Sequence, residues 1–181
     1  MNDAIWEDLE ETFASFGRAA FGACLLEMVL AHALLLLVFM RRVGREMVDD
    51  EGRISDAKKY RHELRKFVQL QRGKTLGNLL RDIRHLKELD SALKKRIAKA
   101  VQHRNFLMHH FWRQSTQAFA TPQGRAKMID ELVSYDNEFS KLGDDINLVL
   151  DTIFDRLGLD SEKVNRDVEK FLRDAGLSLL E

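Results

Sequence analysis

The sequence has few of the residues that cross-link or interrupt a chain. Its 181 residues include one cysteine, Cys24, and one proline, Pro122. A single cysteine excludes a disulfide within the chain and any metal site built from paired cysteines. Runs of β-branched residues are few, and no alternating strand pattern bounded by hairpin turns occurs. A disulfide-stabilised secreted domain is therefore excluded, and a β-sheet fold is not expected.

The chain also lacks a net charge, because 29 Lys and Arg residues balance 29 Asp and Glu residues. This balance argues against indiscriminate coating of nucleic acid, although it leaves room for a local basic site. Hydrophobic residues make up 45% of the chain and charged residues 32%, a globular composition and not a disordered one. Leu, Ala, Lys, Arg, Glu and Asp dominate, and these residues favour helices.

Helical periodicity predicts the order of elements. A first helix is expected from Asn2 or Asp3 to about Val48, followed by a turn and a basic, partly helical segment that ends at Gly73. A further amphipathic helix is expected over 75–89. Together with the elements that follow, this predicts an all-α fold, a helical bundle of about four to six helices with a long apolar first core helix.

The second half of the chain is predicted to hold three more helices. One starts at Asp90 or Ser91 and continues to about Ser115. The TPQG turn at 121–124 separates it from a long helix that is expected from Arg125 to about Leu157. We expect one domain over residues 1–181, with a core bundle over 1–157 and a C-terminal helix over 158–181.

One apolar stretch, Ala19–Met40, is long enough to cross a bilayer. Glu27 and His32 interrupt it near its middle, where charge is expensive, and the residues before it are acidic. We interpret the stretch as a core helix surrounded by neighbours, with no membrane association, and keep a membrane-associated helix as a minor alternative. Glu27 either pairs with a polar or basic partner, such as one on the helix of Arg104, or lies at a bend in contact with water.

No metal or cofactor is predicted, because neither Glu27 nor Glu63 has a histidine three residues later, as a di-metal helix bundle requires. Basic side chains, however, recur between residues 58 and 99. They are either solvated helix faces or contacts to the phosphates of a nucleic acid. The candidate RNA-binding residues are Lys58, Lys59, Arg61, Arg65, Lys66 and Lys99.

The segment RNFLMHHFWR, Arg104–Arg113, combines basic side chains and adjacent histidines with apolar ones. Arginine holds a phosphate and stabilises charge that develops on it, and histidine moves protons near neutral pH. Such groups suffice to cleave RNA by attack of its own 2′-hydroxyl, without a metal. Arg104 and His109 diverge by about 140° on a straight helix, so one site holds both only if the helix is distorted or a second molecule shares the site. The alternative is that the histidines only pack or form hydrogen bonds.

The residues RNFLMH, Arg104–His109, resemble the R-x(4–6)-H motif of the HEPN superfamily in its form with asparagine directly after the arginine. The resemblance covers most of the chain in outline, since the family is an all-α bundle with this motif late in the domain. It implies a metal-independent endoribonuclease that cleaves single-stranded RNA and acts as a toxin or phage-defence protein. It also implies a homodimer with a composite active site, and an antitoxin as a possible partner.

Transferred to this sequence, the resemblance gives each residue of the motif a role. Arg104 would bind or stabilise the scissile phosphate, and Asn105 would orient the phosphate or His109. His109 would be the acid–base residue, with His110 as a second candidate because the motif tolerates a longer gap. The protein is expected to be cytoplasmic. The alternative function is a non-catalytic helical module that dimerises or binds a partner through Phe106, Phe111 and Trp112.

Overall fold

The computed structural model describes residues 3–39 and 90–156, together with isolated positions at 55, 56, 59, 62, 63, 66, 81, 86, 87, 89 and 166. Within these residues the regular elements are helices and no strand occurs. They are α1 (Asp3–Phe39), α2 (Ser91–His109), α3 (Phe111–Gln114), α4 (Thr116–Phe119) and α5 (Pro122–Arg156). The all-α prediction, with its long first helix, is confirmed. The predicted helix over 75–89 and the C-terminal helix over 158–181 lie outside the described residues.

The chain divides into two compact units. One unit joins Met1–Ala31 to Leu89–Ile146, and the other joins His32–Glu88 to Asn147–Glu181. The single domain expected over 1–181 stays a prediction. Buried apolar side chains from α1, α2 and α5 form the core of the first unit; they include Leu26, Leu30, Ile97, Leu107, Leu132, Phe139 and Leu142. In the second unit, the buried described residues include Leu36, Leu37, Leu86, Leu150 and Phe154.

Helix α1 buries one face and exposes the opposite one, so the expectation of a helix enclosed all round is wrong. Ala19, Ala23 and Leu26 follow each other at helical spacing and are at most 3% exposed. Phe21 and Leu25, on the other face, are 58% and 44% exposed. Adjacent exposed apolar side chains of this kind are a common property of interaction surfaces.

Among the described helices, one is long and apolar enough to cross a membrane. It is the Trp6–Ala33 part of α1, with a mean hydropathy of 1.4, of which 28% is buried. Length and composition of this kind are shared by membrane spans, signal sequences and core helices of soluble proteins.

Helix α2 begins where the sequence predicts and ends earlier than predicted. The Asp90 side chain accepts a hydrogen bond of 2.6 Å from the Leu93 N–H, which caps the first turn. The predicted end at Ser115 is wrong, because the chain leaves helical geometry at His110 (φ −130°, ψ −24°). The break allows the next residue, Phe111, to be fully buried, with its ring 5.7 Å from that of Phe16 on α1.

The junction between α4 and α5 holds the start of the second long helix in place. Helix α5 begins at Pro122, three residues before the predicted Arg125; proline suits the first helical position because that N–H needs no partner. Thr121 Oγ1 accepts a hydrogen bond of 3.1 Å from the Gly124 N–H. Arg125, which is 5% exposed, donates from Nε to Asp8 Oδ2 at 2.6 Å and from Nη1 to the Phe119 carbonyl at 2.9 Å. These contacts tie α5 to both α1 and α4.

Candidate functional site

The last turn of α2 carries the motif, and its position follows from the helix's buried face. Ile97, Ala100 and Leu107 turn toward the core, which leaves Asn105 and His109 exposed on the outer face. Asn105 and His109 are one turn apart on that face, as their spacing predicts. The motif therefore lies at an accessible helix end.

Arg104 is held between two polar neighbours. Its Nε forms an ion pair with Glu27 Oε1 on α1, and the two side chains are only 25% and 29% exposed. Its Nη1 donates a hydrogen bond of 3.1 Å to Asn105 Oδ1. The predicted partner for Glu27 on the helix of Arg104 is thus confirmed. The guanidinium is fixed in orientation, and a bound phosphate would share it with the Glu27 carboxylate.

The two histidines differ in their surroundings. His110 Nδ1 lies 2.9 Å from Arg113 Nη2. Because arginine only donates, Nδ1 is the acceptor in this contact, which requires the tautomer with its proton on Nε2. The His109 ring lies 6.3 Å from that of His110 and has no side-chain hydrogen bond to the part of the chain that the structure describes. His109 is therefore the histidine that is available to a ligand.

Within one chain, these groups only partly come together. Arg104 contacts Asn105, and His109 lies beside His110, but no contact joins Arg104 to His109 among the described residues. The divergence expected for a straight helix persists, since the break in α2 begins only at His110. A site that uses both Arg104 and His109 on one phosphate would need a second copy of the motif or a substrate that spans the gap.

The sequence interpretation missed a second polar cluster on the other side of α2. His103 Nδ1 lies 2.5 Å from Glu138 Oε2 on α5, and the His103 ring is 4.9 Å from that of Tyr135. Tyr135 donates a hydrogen bond of 2.5 Å to Glu131 Oε1. Burial, and then this hydrogen bond, raise the pKa of Tyr135. A histidine oriented by a carboxylate is an arrangement found in general bases. No local sequence pattern predicts this contact, because His103 and Glu138 are 35 residues apart.

The predicted RNA-binding lysines are placed only in part. Lys58, Arg61 and Arg65 lie outside the described residues. Lys59 and Lys66 are exposed, and Lys66 Nζ lies 3.2 Å from Glu63 Oε1. In the other unit, the Lys99 side chain is 63% exposed and its Nζ lies 3.8 Å from Glu138 Oε1. Lys66 and Lys99 thus have carboxylate neighbours that lower the local positive charge.

The aromatic residues after the motif form a cluster with α1. Phe111 is fully buried and offers no surface to a partner, so its predicted role in partner binding is wrong. Phe106 is partly buried and its ring lies 6.1 Å from that of Phe111. Trp112 is partly exposed and lies 5.2 Å from the ring of Phe13, which is itself 54% exposed. The accessible aromatic surface beside the motif is therefore Trp112 with Phe13.

In the described parts of the chain, no group of three or more His, Cys, Asp or Glu side chains is arranged to hold a metal ion. Comparisons of the chain with protein-family models, with curated proteins and with solved structures find no match.

Proposed function

We propose that this protein is a metal-independent endoribonuclease of the HEPN type, which cleaves single-stranded RNA as a homodimer. In this proposal it acts in the cytoplasm as a toxin or phage-defence protein, with an antitoxin as a possible partner. The observation that carries the proposal is the exposed end of α2. There, a fixed arginine, Arg104, lies with Asn105 one turn before the accessible His109.

The chemistry needs three groups around one phosphodiester. His109 removes the proton of the 2′-hydroxyl, and the 2′-oxygen forms a bond to phosphorus. The bond from phosphorus to the 5′-oxygen breaks, and a second histidine gives that oxygen a proton. Arg104 stabilises the negative charge on the phosphorane. The products are a 2′,3′-cyclic phosphate and a 5′-hydroxyl, so atoms and protons balance without water or a metal.

A homodimer would supply the second histidine and bring Arg104 and His109 to the same phosphate. Each chain carries one His109 with no side-chain hydrogen bond to the described residues, whereas in-line cleavage uses both a base and an acid. His110 is the alternative acid in its imidazolium form, in which Nδ1 no longer accepts the hydrogen bond from Arg113. Asn105 would orient Arg104 through the hydrogen bond of 3.1 Å that joins them.

A second candidate function is a non-catalytic interaction module. It is favoured by the exposed apolar face of α1, where Phe21, Leu25 and Met28 are 58%, 44% and 36% exposed. In that case the Arg104–Glu27 pair would serve only to join α1 and α2.

Cleavage of a labelled single-stranded RNA in EDTA distinguishes the two functions. The wild-type protein should produce a cyclic phosphate end, and His109→Ala should reduce the rate by at least 100-fold, since general acid–base groups contribute about 10²–10⁴-fold. Gln102→Ala is the matched control, because Gln102 is an exposed residue of α2 outside the motif. Cleavage that survives His109→Ala, or that stops in EDTA, contradicts the mechanism. No cleavage by folded wild-type protein favours the interaction module.

A further inference from the structure

Six small or apolar residues form a continuous exposed line along α1, here called the α1 seam. Its members are Ala14, Gly17, Phe21, Cys24, Met28 and Ala31. Five of them are exposed, and Ala31 is partly exposed. A Cβ atom added at Gly17 would meet nothing within 4 Å, so the line borders open space.

The spacing along the seam alternates between three and four residues. That alternation is the pattern by which two helices pack against each other with interlocking side chains. It divides the seam into two columns. One column contains Phe21 and Met28, and the other contains only small residues. At 1.5 Å per residue the seam is about 25 Å long.

A two-fold axis that passes between residues 22 and 23 would place the large side chains of one copy opposite the small side chains of the other. An antiparallel copy of α1 places Phe21 opposite the partner's Cys24, and Met28 opposite the partner's Gly17. Ala14 then meets the partner's Ala31. Each large side chain meets a small one, as well-packed layers require. A parallel pair in register would instead set Phe21 against the partner's Phe21 and glycine against glycine.

We infer that the α1 seam is a self-association surface, on which an antiparallel α1 of a second copy packs about a two-fold axis. The same patch serves both copies, as a two-fold interface requires. The inference rests on the proposed function for its biological role, because the seam is where the second copy of the proposed homodimer would bind. Neither the packing of the seam nor the measurement of dimer formation involves RNA.

The charges near the seam disfavour a lipid surface as the occupant. Glu7, Glu10 and Glu11 are exposed at the start of the same helix, against one exposed arginine, Arg18, which is paired with Glu11. Anionic headgroups repel this net negative charge. A hydrogen bond from Arg18 lowers the pKa of Glu11, so this carboxylate stays ionised at neutral pH. The other face of α1 packs in the core of its unit, which leaves only one side of the helix for an outside partner.

The first test is the mass of the full chain in detergent-free buffer, measured by light scattering after size exclusion. We expect twice the chain mass of 21.0 kDa for wild type and a single chain mass for Phe21→Glu, because a charge would be buried unpaired in the interface. Leu148→Glu is the control, since Leu148 is 65% exposed on α5 and outside the seam. Circular dichroism checks that each variant is folded.

The second test determines whether the two copies of α1 pack antiparallel or parallel. In a Cys24→Ser background, Ala14→Cys combined with Ala31→Cys should give a covalent dimer with a short bismaleimide. Within one chain the two thiols are about 25 Å apart, so the product must join two chains. Ala14→Cys alone should not be joined, because its copy would also lie about 25 Å away in an antiparallel pair. A parallel dimer would join it.

A monomeric wild type, a dimer that survives Phe21→Glu, or a chain that is soluble only in detergent overturns the inference. So does cross-linking of Ala14→Cys alone. The inference and the proposed function fail in different ways. A dimer that does not cleave RNA overturns only the ribonuclease, whereas a monomer that cleaves RNA overturns only the seam and the need for a second copy.

Discussion

At the scale of single residues, the ion pair between Glu27 and Arg104 links the candidate site to the first helix. Glu27 lies in a run of apolar residues, where a carboxylate needs a partner to offset its lost hydration. Arg104 supplies that partner and is itself only 25% exposed. The pair therefore stabilises the contact between α1 and α2 and also sets the orientation of the guanidinium.

We expect Glu27→Ala to lower the free energy of unfolding by about 1–3 kcal/mol, because it leaves a largely buried guanidinium without its carboxylate. Urea unfolding monitored by circular dichroism measures the change. Glu11→Ala on the same helix is the control. The pair of Glu11 with Arg18 is exposed, with side chains 54% and 52% accessible, so its loss should leave stability nearly unchanged. Equal effects of the two substitutions would contradict the role given to Glu27.

Tyr135 predicts a dependence of stability on alkaline pH. Burial and the hydrogen bond to Glu131 raise the pKa of Tyr135, whereas a tyrosine in the unfolded chain ionises at about pH 10. The folded chain thus holds the phenol proton more tightly. The resulting stabilisation is full below about pH 10 and is lost as pH rises above that value.

We therefore expect Tyr135→Phe to lose less unfolding free energy than wild type between about pH 8 and about pH 11. Urea titrations at the two pH values measure this difference. The comparison of each protein with itself at about pH 8 removes the effect of the lost hydrogen bond. An identical alkaline loss in both proteins would show that Tyr135 does not titrate differently on folding.

The sequence predicts contacts between residues unevenly. The partner of Glu27 was predictable in kind, because a charge in an apolar helix requires compensation. The contact between His103 and Glu138 was not, since both residues lie on amphipathic helices where a half-exposed polar side chain is ordinary. Only the packing of α2 against α5 brings them within 2.5 Å.

At the scale of elements, helix starts were easier to predict than breaks. Asp90 caps α2 with its side chain, a local signal that sequence displays directly. The break at His110 has no such signal, because neither glycine nor proline is near it. It follows from the burial of Phe111 against Phe16, a tertiary contact that overrides the helical preference of the segment.

The junction before α5 depends on Gly124. A Cβ atom at this position would lie 2.0 Å from the carbonyl oxygen of Ala118, and neither backbone can move without disturbing the Arg125 contacts. We expect Gly124→Ala to lower the unfolding free energy by about 1–3 kcal/mol and the midpoint of thermal unfolding with it.

Gly143→Ala is the matched control on the same helix. Its Cβ would meet only the Val29 side chain at 4.0 Å, an ordinary contact, so alanine should stabilise the helix by about 0.5–1 kcal/mol. Calorimetry of both variants tests the pair. If Gly124→Ala stabilises the protein as Gly143→Ala does, the close approach to Ala118 is not a real constraint.

At the scale of the whole molecule, the all-α class followed from composition and periodicity, because those signals add over many residues. The exposed face of α1 did not follow, since Phe21 and Leu25 are as apolar as buried residues. Which apolar residues meet solvent depends on how the helices pack. The sequence likewise predicts where the motif lies but not whether two copies of it meet.

The balance of charges predicts how the protein behaves in solution. The sequence isoelectric point is about 7.0, and proteins near zero net charge associate readily. We expect concentrated protein in low salt to scatter more light at about pH 7 than at about pH 9. At the higher pH the molecules carry a net negative charge and repel each other. Light scattering across this range at fixed concentration measures the effect. A flat profile would show that association does not depend on net charge.

The aromatic cluster after the motif also gives the molecule an optical signal of its own. The chain has two tryptophans, and Trp112 lies three residues after His109, with its ring 5.0 Å from that of Phe16. Replacing Trp6 with phenylalanine would leave Trp112 as the single source of indole emission. A ligand that binds at the end of α2 would then change the wavelength or the intensity of that emission. Binding at the motif can therefore be titrated without a label on the protein or the RNA.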